Sequence, residues 1–186
     1  MKYLYYETPE LYNITPTCGP VTGYTELTVF GKNFIDMGFG KVKCIFNNTF
    51  VMNATIMEND IIKCDTPPLP PSFGFSEAGA APWFNVSVTL NGKELSETNS
   101  TKSIKFTYYI DPQMASITPN NGPMKGNTSS HILGSGFAQE GVCNVTVRYG
   151  TFQQKLVNYT DTELVVFSPQ AEVPDSVVVS VSLNGQ

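Results

Sequence analysis

Charge and imidazole are what this chain has least of. Among 186 residues there is one histidine, His131, one arginine, Arg148, and one tryptophan, and only 15% of residues are charged. A lone histidine removes the usual basis for a Ser-His-Asp triad or an imidazole-rich metal centre, both of which need partners at fixed spacing. Superposing the two halves of the chain puts His131 on Thr28, so it reads as an ordinary strand residue. A net charge of -5 with a single guanidinium offers no cationic cluster to displace counterions from phosphates, so nucleic acid is not an expected partner. No run of 18 apolar residues occurs, and no membrane insertion is expected. The charged and apolar regions of a secretory signal are also missing, which puts any such signal outside this sequence. The glycines form neither a P-loop nor a dinucleotide-binding pattern. Glu58, Asp60, Asp161 and Glu163 occupy equivalent turns of the two halves and read as turn chemistry. No catalytic constellation emerges, and neither enzyme activity nor a cofactor is expected.

What the chain does have is one stretch written twice. Lys2-Tyr3-Leu4-Tyr5-Tyr6, then Pro9, Ile14-Thr15-Pro16 and Gly19-Pro20, returns 103 positions later as Lys105-Phe106-Thr107-Tyr108-Tyr109, Pro112, Ile117-Thr118-Pro119 and Gly122-Pro123. A repeat of this period means two small domains, each able to bury a core. Mid-chain, the aromatic stretch closes the first repeat. At the N-terminus it has no repeat to close, and the second repeat reaches Leu183-Asn184-Gly185-Gln186 with no closing strand. The expected division is an N-terminal strand over 1–7, a first domain over 8–110 and a second over 111–186.

With 15 Gly, 13 Pro and 12% aromatics, the composition suits short strands and turns, and an all-β fold is expected. In the first repeat the strands are predicted over 11–15, 27–34, 42–46, 50–56, 60–64, 84–90 and 104–109. In the second they are predicted over 115–118, 130–133, 145–149, 152–157, 164–167 and 177–183. Phe84 to Leu90 alternates with period two, as a half-buried strand does, and Asn91-Gly92 supplies turn chemistry after it. Gly31, inside a predicted strand, reads as a bulge position. Residues 67–82 are Pro-rich and longer than their counterpart 169–175, the mark of a surface loop.

At the constant offset of 103, Cys44 falls on Val147 and Cys64 on Phe167. Two cysteines lost together and replaced by apolar residues are what a buried bridge exchanged for a hydrophobic contact leaves behind. A Cys44–Cys64 disulfide is therefore expected, closing a loop of about 20 residues and contributing roughly 3 kcal/mol by restricting the unfolded chain. Sequons begin at Asn13, Asn47, Asn53, Asn85, Asn99, Asn127, Asn144 and Asn158. These eight exceed the number, about three, that this composition gives by chance. With the disulfide, that excess predicts an extracellular or cell-surface protein carrying N-linked glycans.

The first repeat strings together Ile14-Thr15-Pro16, Gly19-Pro20, Gly23, Gly31-Lys32-Asn33-Phe34 and Ile62-Lys63-Cys64-Asp65-Thr66-Pro67. The second has Ile117-Thr118-Pro119, Gly122-Pro123, Gly126 and Gly134-Ser135-Gly136-Phe137, with Val165-Val166-Phe167-Ser168-Pro169 in place of the cysteine motif. Over nearly the whole chain this resembles the IPT/TIG domain, the Ig-like fold of plexins and certain transcription factors. The resemblance implies two tandem Ig-like β-sandwich domains, the second lacking its last strand. It implies no molecular function, because the family serves receptors, DNA-binding factors and surface proteins alike. In such a sandwich Cys18 lies in the first inter-strand loop, facing the next domain, and Cys143 in a loop facing the preceding one. The two could form an interdomain bridge; free thiols or a link between subunits are the alternatives.

A sandwich without its last strand leaves a row of backbone groups unpaired and an apolar groove open. Met1, Tyr3 and Tyr5 are the equivalents of Ile104, Phe106 and Tyr108, and burying three such side chains is worth roughly 4 to 8 kcal/mol. The leading expectation is a head-to-tail homopolymer, a structural extracellular filament assembled by donor-strand exchange. Its donor strand is Lys2, Tyr3, Leu4, Tyr5 and Tyr6, and its acceptor edge carries Val177, Val179, Val181 and Leu183. The alternative is a ligand-binding or adhesion ectodomain segment cut from a longer repeat array.

Overall fold

The computed structural model describes residues 3–38, 40–74, 80–98 and 103–186, and divides the chain into two compact units, Met1–Tyr108 and Tyr109–Gln186. The first unit contains β1 (Glu10–Thr15), β2 (Cys18–Pro20), β3 (Glu26–Lys32), β4 (Lys43–Phe46), β5 (Phe50–Glu58) and β6 (Ile61–Asp65). It continues with a short 3-10 turn at Pro71–Phe73, β7 (Trp83–Thr89), β8 (Glu97–Thr98) and β9 (Lys105–Tyr109). Hydrogen bonding links the strands in the order β2-β9-β7-β4-β5-β6-β3-β1-β8. The long β5 joins the two layers of an Ig-like sandwich, because Phe50 to Asn53 pair with β4 and Ala54 to Glu58 with β6.

Period-two alternation places one face of each strand inside. Leu27 and Val29 of β3, Cys44 and Phe46 of β4, Ile62 and Cys64 of β6, Phe84, Val86 and Val88 of β7, and Phe106 and Tyr108 of β9 all enter one core. Gly31 is needed for a reason other than a bulge of its own strand. The irregularity lies in β1, between Leu11 and Asn13, and a Cβ on Gly31 would stand 2.1 Å from the Glu10 carbonyl oxygen and 2.5 Å from the Phe34 ring.

The second unit contains β10 (Gln113–Thr118), β11 (Ser129–Ser135), β12 (Thr146–Tyr149), β13 (Phe152–Gln154), β14 (Leu156–Tyr159), β15 (Glu163–Phe167) and β16 (Val179–Ser182). They form two sheets, β10-β11-β15-β14 and β13-β12-β16. The strand expected over 152–157 is broken at Lys155 into β13 and β14, one in each sheet. Both units share the cis peptide before the first proline, Thr15–Pro16 and Thr118–Pro119, and the glycine whose absent Cβ clears the facing backbone, Gly31 and Gly134.

Register corrects the constant offset used on the sequence. Val29 pairs with Ile62 and Ile132 with Leu164, so the offset drops to 102 by β6 and β15. One residue has gone from the hairpin between Phe46–Phe50 and Tyr149–Phe152. The counterpart of Cys64 is therefore Val166, fully buried, and not Phe167, which is exposed. Strands β2 and β8 have no readable sequence pattern at three and two residues, and β16 is shorter than the 177–183 expected. Residues 3–9 take no strand, and Met1 and Lys2 lie outside the described residues.

Candidate functional site: an open groove in the second unit

The first unit shows how its sandwich is closed. Tyr108 N donates to the Pro82 carbonyl at 2.8 Å, Val86 N to that of Ile104 at 2.8 Å and Thr107 N to that of Thr17 at 3.0 Å, which fixes β9 between β7 and the loop after β1. Phe106 and Tyr108 are completely buried, their rings meeting edge to face at 5.2 Å, and Tyr108 packs in the same way on Phe84. Gly19 leaves room for the Phe106 ring, since a Cβ there would stand 2.7 Å from its tip. The Tyr108 hydroxyl donates to the Pro67 carbonyl at 2.9 Å. Burial pushes the phenol of Tyr108 far above its ordinary range. Tyr109 is raised to about 12, first by burial and then by the nearby Asp111 carboxylate.

The second unit repeats much of this receptacle. A groove of about 710 Å³ runs along its open edge, lined by the counterparts of the groups that hold β9. Asn120 stands for Thr17, Gly122 for Gly19, Pro169 for Pro67, Asp175 for Pro82 and Val179 for Val86. Among the described residues β16 pairs with β12, and its Val179 lines the groove. Val177, the counterpart of the 1% exposed Phe84, is 53% exposed. Tyr149 also lines the groove, and its buried hydroxyl has no partner among the described residues.

Of the sequence-derived acceptor residues, Val179 and Val181 pack on the second core and Leu183 is buried, its carbonyl accepting from Cys143 N and Asn144 N. Of these four, Val177 and Val179 line the groove. The floor formed by Asn120, Gly122 and Pro169 was not singled out from sequence; the repeated Gly-Pro was its one signal. The donor residues Tyr3, Leu4 and Tyr5 are 82%, 64% and 87% exposed. Tyr6 instead rests on the core of its own first unit, and its phenol is raised by burial and by Glu94 and Tyr3.

Cys44 and Cys64 are joined, with 6.4 Å between Cα atoms, and Cys18 and Cys143 are also disulfide-bonded, so no cysteine is free. His131 is an exposed strand residue whose Nδ1 lies 2.7 Å from Glu163 Oε1. Asn13, Asn53, Asn127, Asn144 and Asn158 are exposed, Asn47 and Asn85 are half-buried, and Asn99 lies outside the described residues. Among the described residues no cluster of His, Cys, Asp and Glu could hold a metal, and no helix is long and apolar enough to cross a membrane.

A family profile described as IPT/TIG domain matches residues 9–108 and again 112–186. The chain belongs to the IPT/TIG family. Plexin A3 of Danio rerio is 27% identical over 148 residues, which cover 76% of this chain and 7% of the plexin. The extracellular region of plexin A4 superposes with a TM-score of 0.53 at 20% identity, covering 95% of this chain and 14% of that one. This chain thus spans a small fraction of the relatives it matches, and the structural likeness bears on the fold alone. In this chain the closing strand β9 is followed after three residues by β10, the first strand of the second unit.

Proposed function

We propose that this chain is a two-domain stretch of a larger extracellular IPT-repeat surface protein, serving as a non-catalytic adhesion or spacer module. The observation that carries the reading is the closing-strand pattern at 2–6, which stands ahead of the first domain as Lys105–Tyr109 stands ahead of the second. Two disulfide-linked cysteine pairs and the plexin relatives support an extracellular setting. The exposed sequon residues Asn13, Asn53, Asn127, Asn144 and Asn158 are its proposed glycan sites. Antibodies to residues 1–186 should stain unpermeabilised cells and detect a glycosidase-sensitive polypeptide well above 20.4 kDa. An intracellular, unglycosylated 20.4 kDa band would exclude the reading.

A second reading, a filament of identical subunits, is favoured by the open groove alone. Its first step is a strand passed between copies.

A further inference from the structure

We propose that the groove of the second unit receives the N-terminal strand of a second copy of this chain, with Tyr3 in the place of Phe106 and Tyr5 in the place of Tyr108. The first unit supplies the template. Each group that fixes β9 has a counterpart on the groove wall: backbone partners at Asn120, Asp175 and Val179, a glycine at Gly122 to admit a ring, and a carbonyl at Pro169 for a tyrosine hydroxyl. The strand that matches the template is carried by the chain itself. Lys2-Tyr3-Leu4-Tyr5-Tyr6 repeats the Lys-aromatic-X-Tyr-Tyr order of Lys105–Tyr109, and in both cases eight positions separate the lysine from the first residue of the next strand, Glu10 or Gln113.

Tyr3 and Tyr5 are available for such a contact, being the two most exposed large apolar side chains of the chain's described residues. Tyr6 is held on its own first unit, so the donor is tethered by one residue and presented by the three before it. Docking would pair the β16 edge that has no partner among the described residues, beginning at Val179, cover Val177 as β9 covers Phe84, and set Tyr5 Oη on the Pro169 carbonyl. Donor and acceptor are different surfaces, so the contact is heterologous and propagates unless it closes into a ring. The proposal deepens the filament reading and stands against the surface-protein reading, in which the native chain's own continuation closes the second unit. A longer native chain whose own continuation fills the groove would overturn this proposal while leaving that reading intact.

Light scattering on purified residues 1–186 over a range of concentrations tests it. Assembly should grow with concentration, Tyr3→Asp with Tyr5→Asp should leave monomers, and a free peptide copying residues 103–110 should dissolve the wild-type assemblies. Tyr3→Phe should assemble at least as well as wild type, because Phe106 is the side chain of the template. A self-complemented variant, with residues 103–110 repeated after Gln186 through a short flexible linker, should fold as a monomer. A wild-type monomer at every concentration, or a self-complemented chain that assembles as well as wild type, would overturn the proposal. So would assemblies that survive loss of both tyrosines.

Discussion

At the scale of single residues, the strictest requirement is the absence of a side chain. Gly31 and Gly134 each sit where a Cβ would come within 2.1 Å of a carbonyl oxygen of the neighbouring strand, that of Glu10 or Gln113. That contact is with backbone, which cannot rotate away, so Gly31→Ala is expected to cost about 1–3 kcal/mol by chemical denaturation. A change within about 0.5 kcal/mol would show that the β1 bulge absorbs the methyl group. The buried phenols set a pH limit. Tyr109 is raised to about 12 and Tyr108 further, so the folded chain holds protons that the unfolded chain releases near its ordinary tyrosine value of about 10. Their contribution to stability is fully present below about pH 10 and declines as pH rises through 12. Denaturation midpoints at a series of alkaline pH values should fall over that window, and less steeply in a Tyr109→Phe variant.

At the scale of elements, the two units solve one packing problem in two ways. Cys44–Cys64 joins β4 and β6 across the first core, and the buried Val147 and Val166 take the same positions between β12 and β15. The second solution predicts the behaviour of the first. Replacing both cysteines by valine should lose less than the roughly 3 kcal/mol of loop restriction, because apolar contact is restored, whereas a double alanine replacement should lose more through the cavity left behind. Equal losses in the two variants, measured by urea denaturation, would mean the valine pair fits only its own unit. Strand β9 offers a second check. Tyr108→Phe removes the donor to the Pro67 carbonyl while keeping the ring, and an expected loss of about 1–3 kcal/mol measures the buried acceptor left unpaired.

At the scale of the whole molecule, the units differ in how much apolar surface they enclose. Sixteen buried side chains form the first core and six the second, among the described residues. Calorimetry of the chain is therefore expected to give two transitions, the lower belonging to the second unit. Adding the peptide that copies residues 103–110 should raise the lower transition alone, since a ligand that binds only the folded unit stabilises that unit. Cys18 and Cys143 are disulfide-bonded as well, so thiol titration of the unreduced chain is expected to find no free cysteine.

Much of this was readable before any coordinates. Alternation of apolar residues gave the strands and the paired loss of two cysteines one disulfide, while the repeated Ile-Thr-Pro and Gly-Pro stretches gave the duplication and the family resemblance that implies a sandwich. Register did not follow, since a single deletion in a hairpin is invisible until strands are paired, and it moved the partner of Cys64 from Phe167 to Val166. An open groove was expected, but its wall was not, since Asn120, Gly122, Pro169 and Asp175 come to it from distant parts of the chain. The sequence by itself determined which strand has the right pattern to close a sandwich; tertiary structure alone decided which groups line the groove, because those groups become neighbours only when the sheets pack.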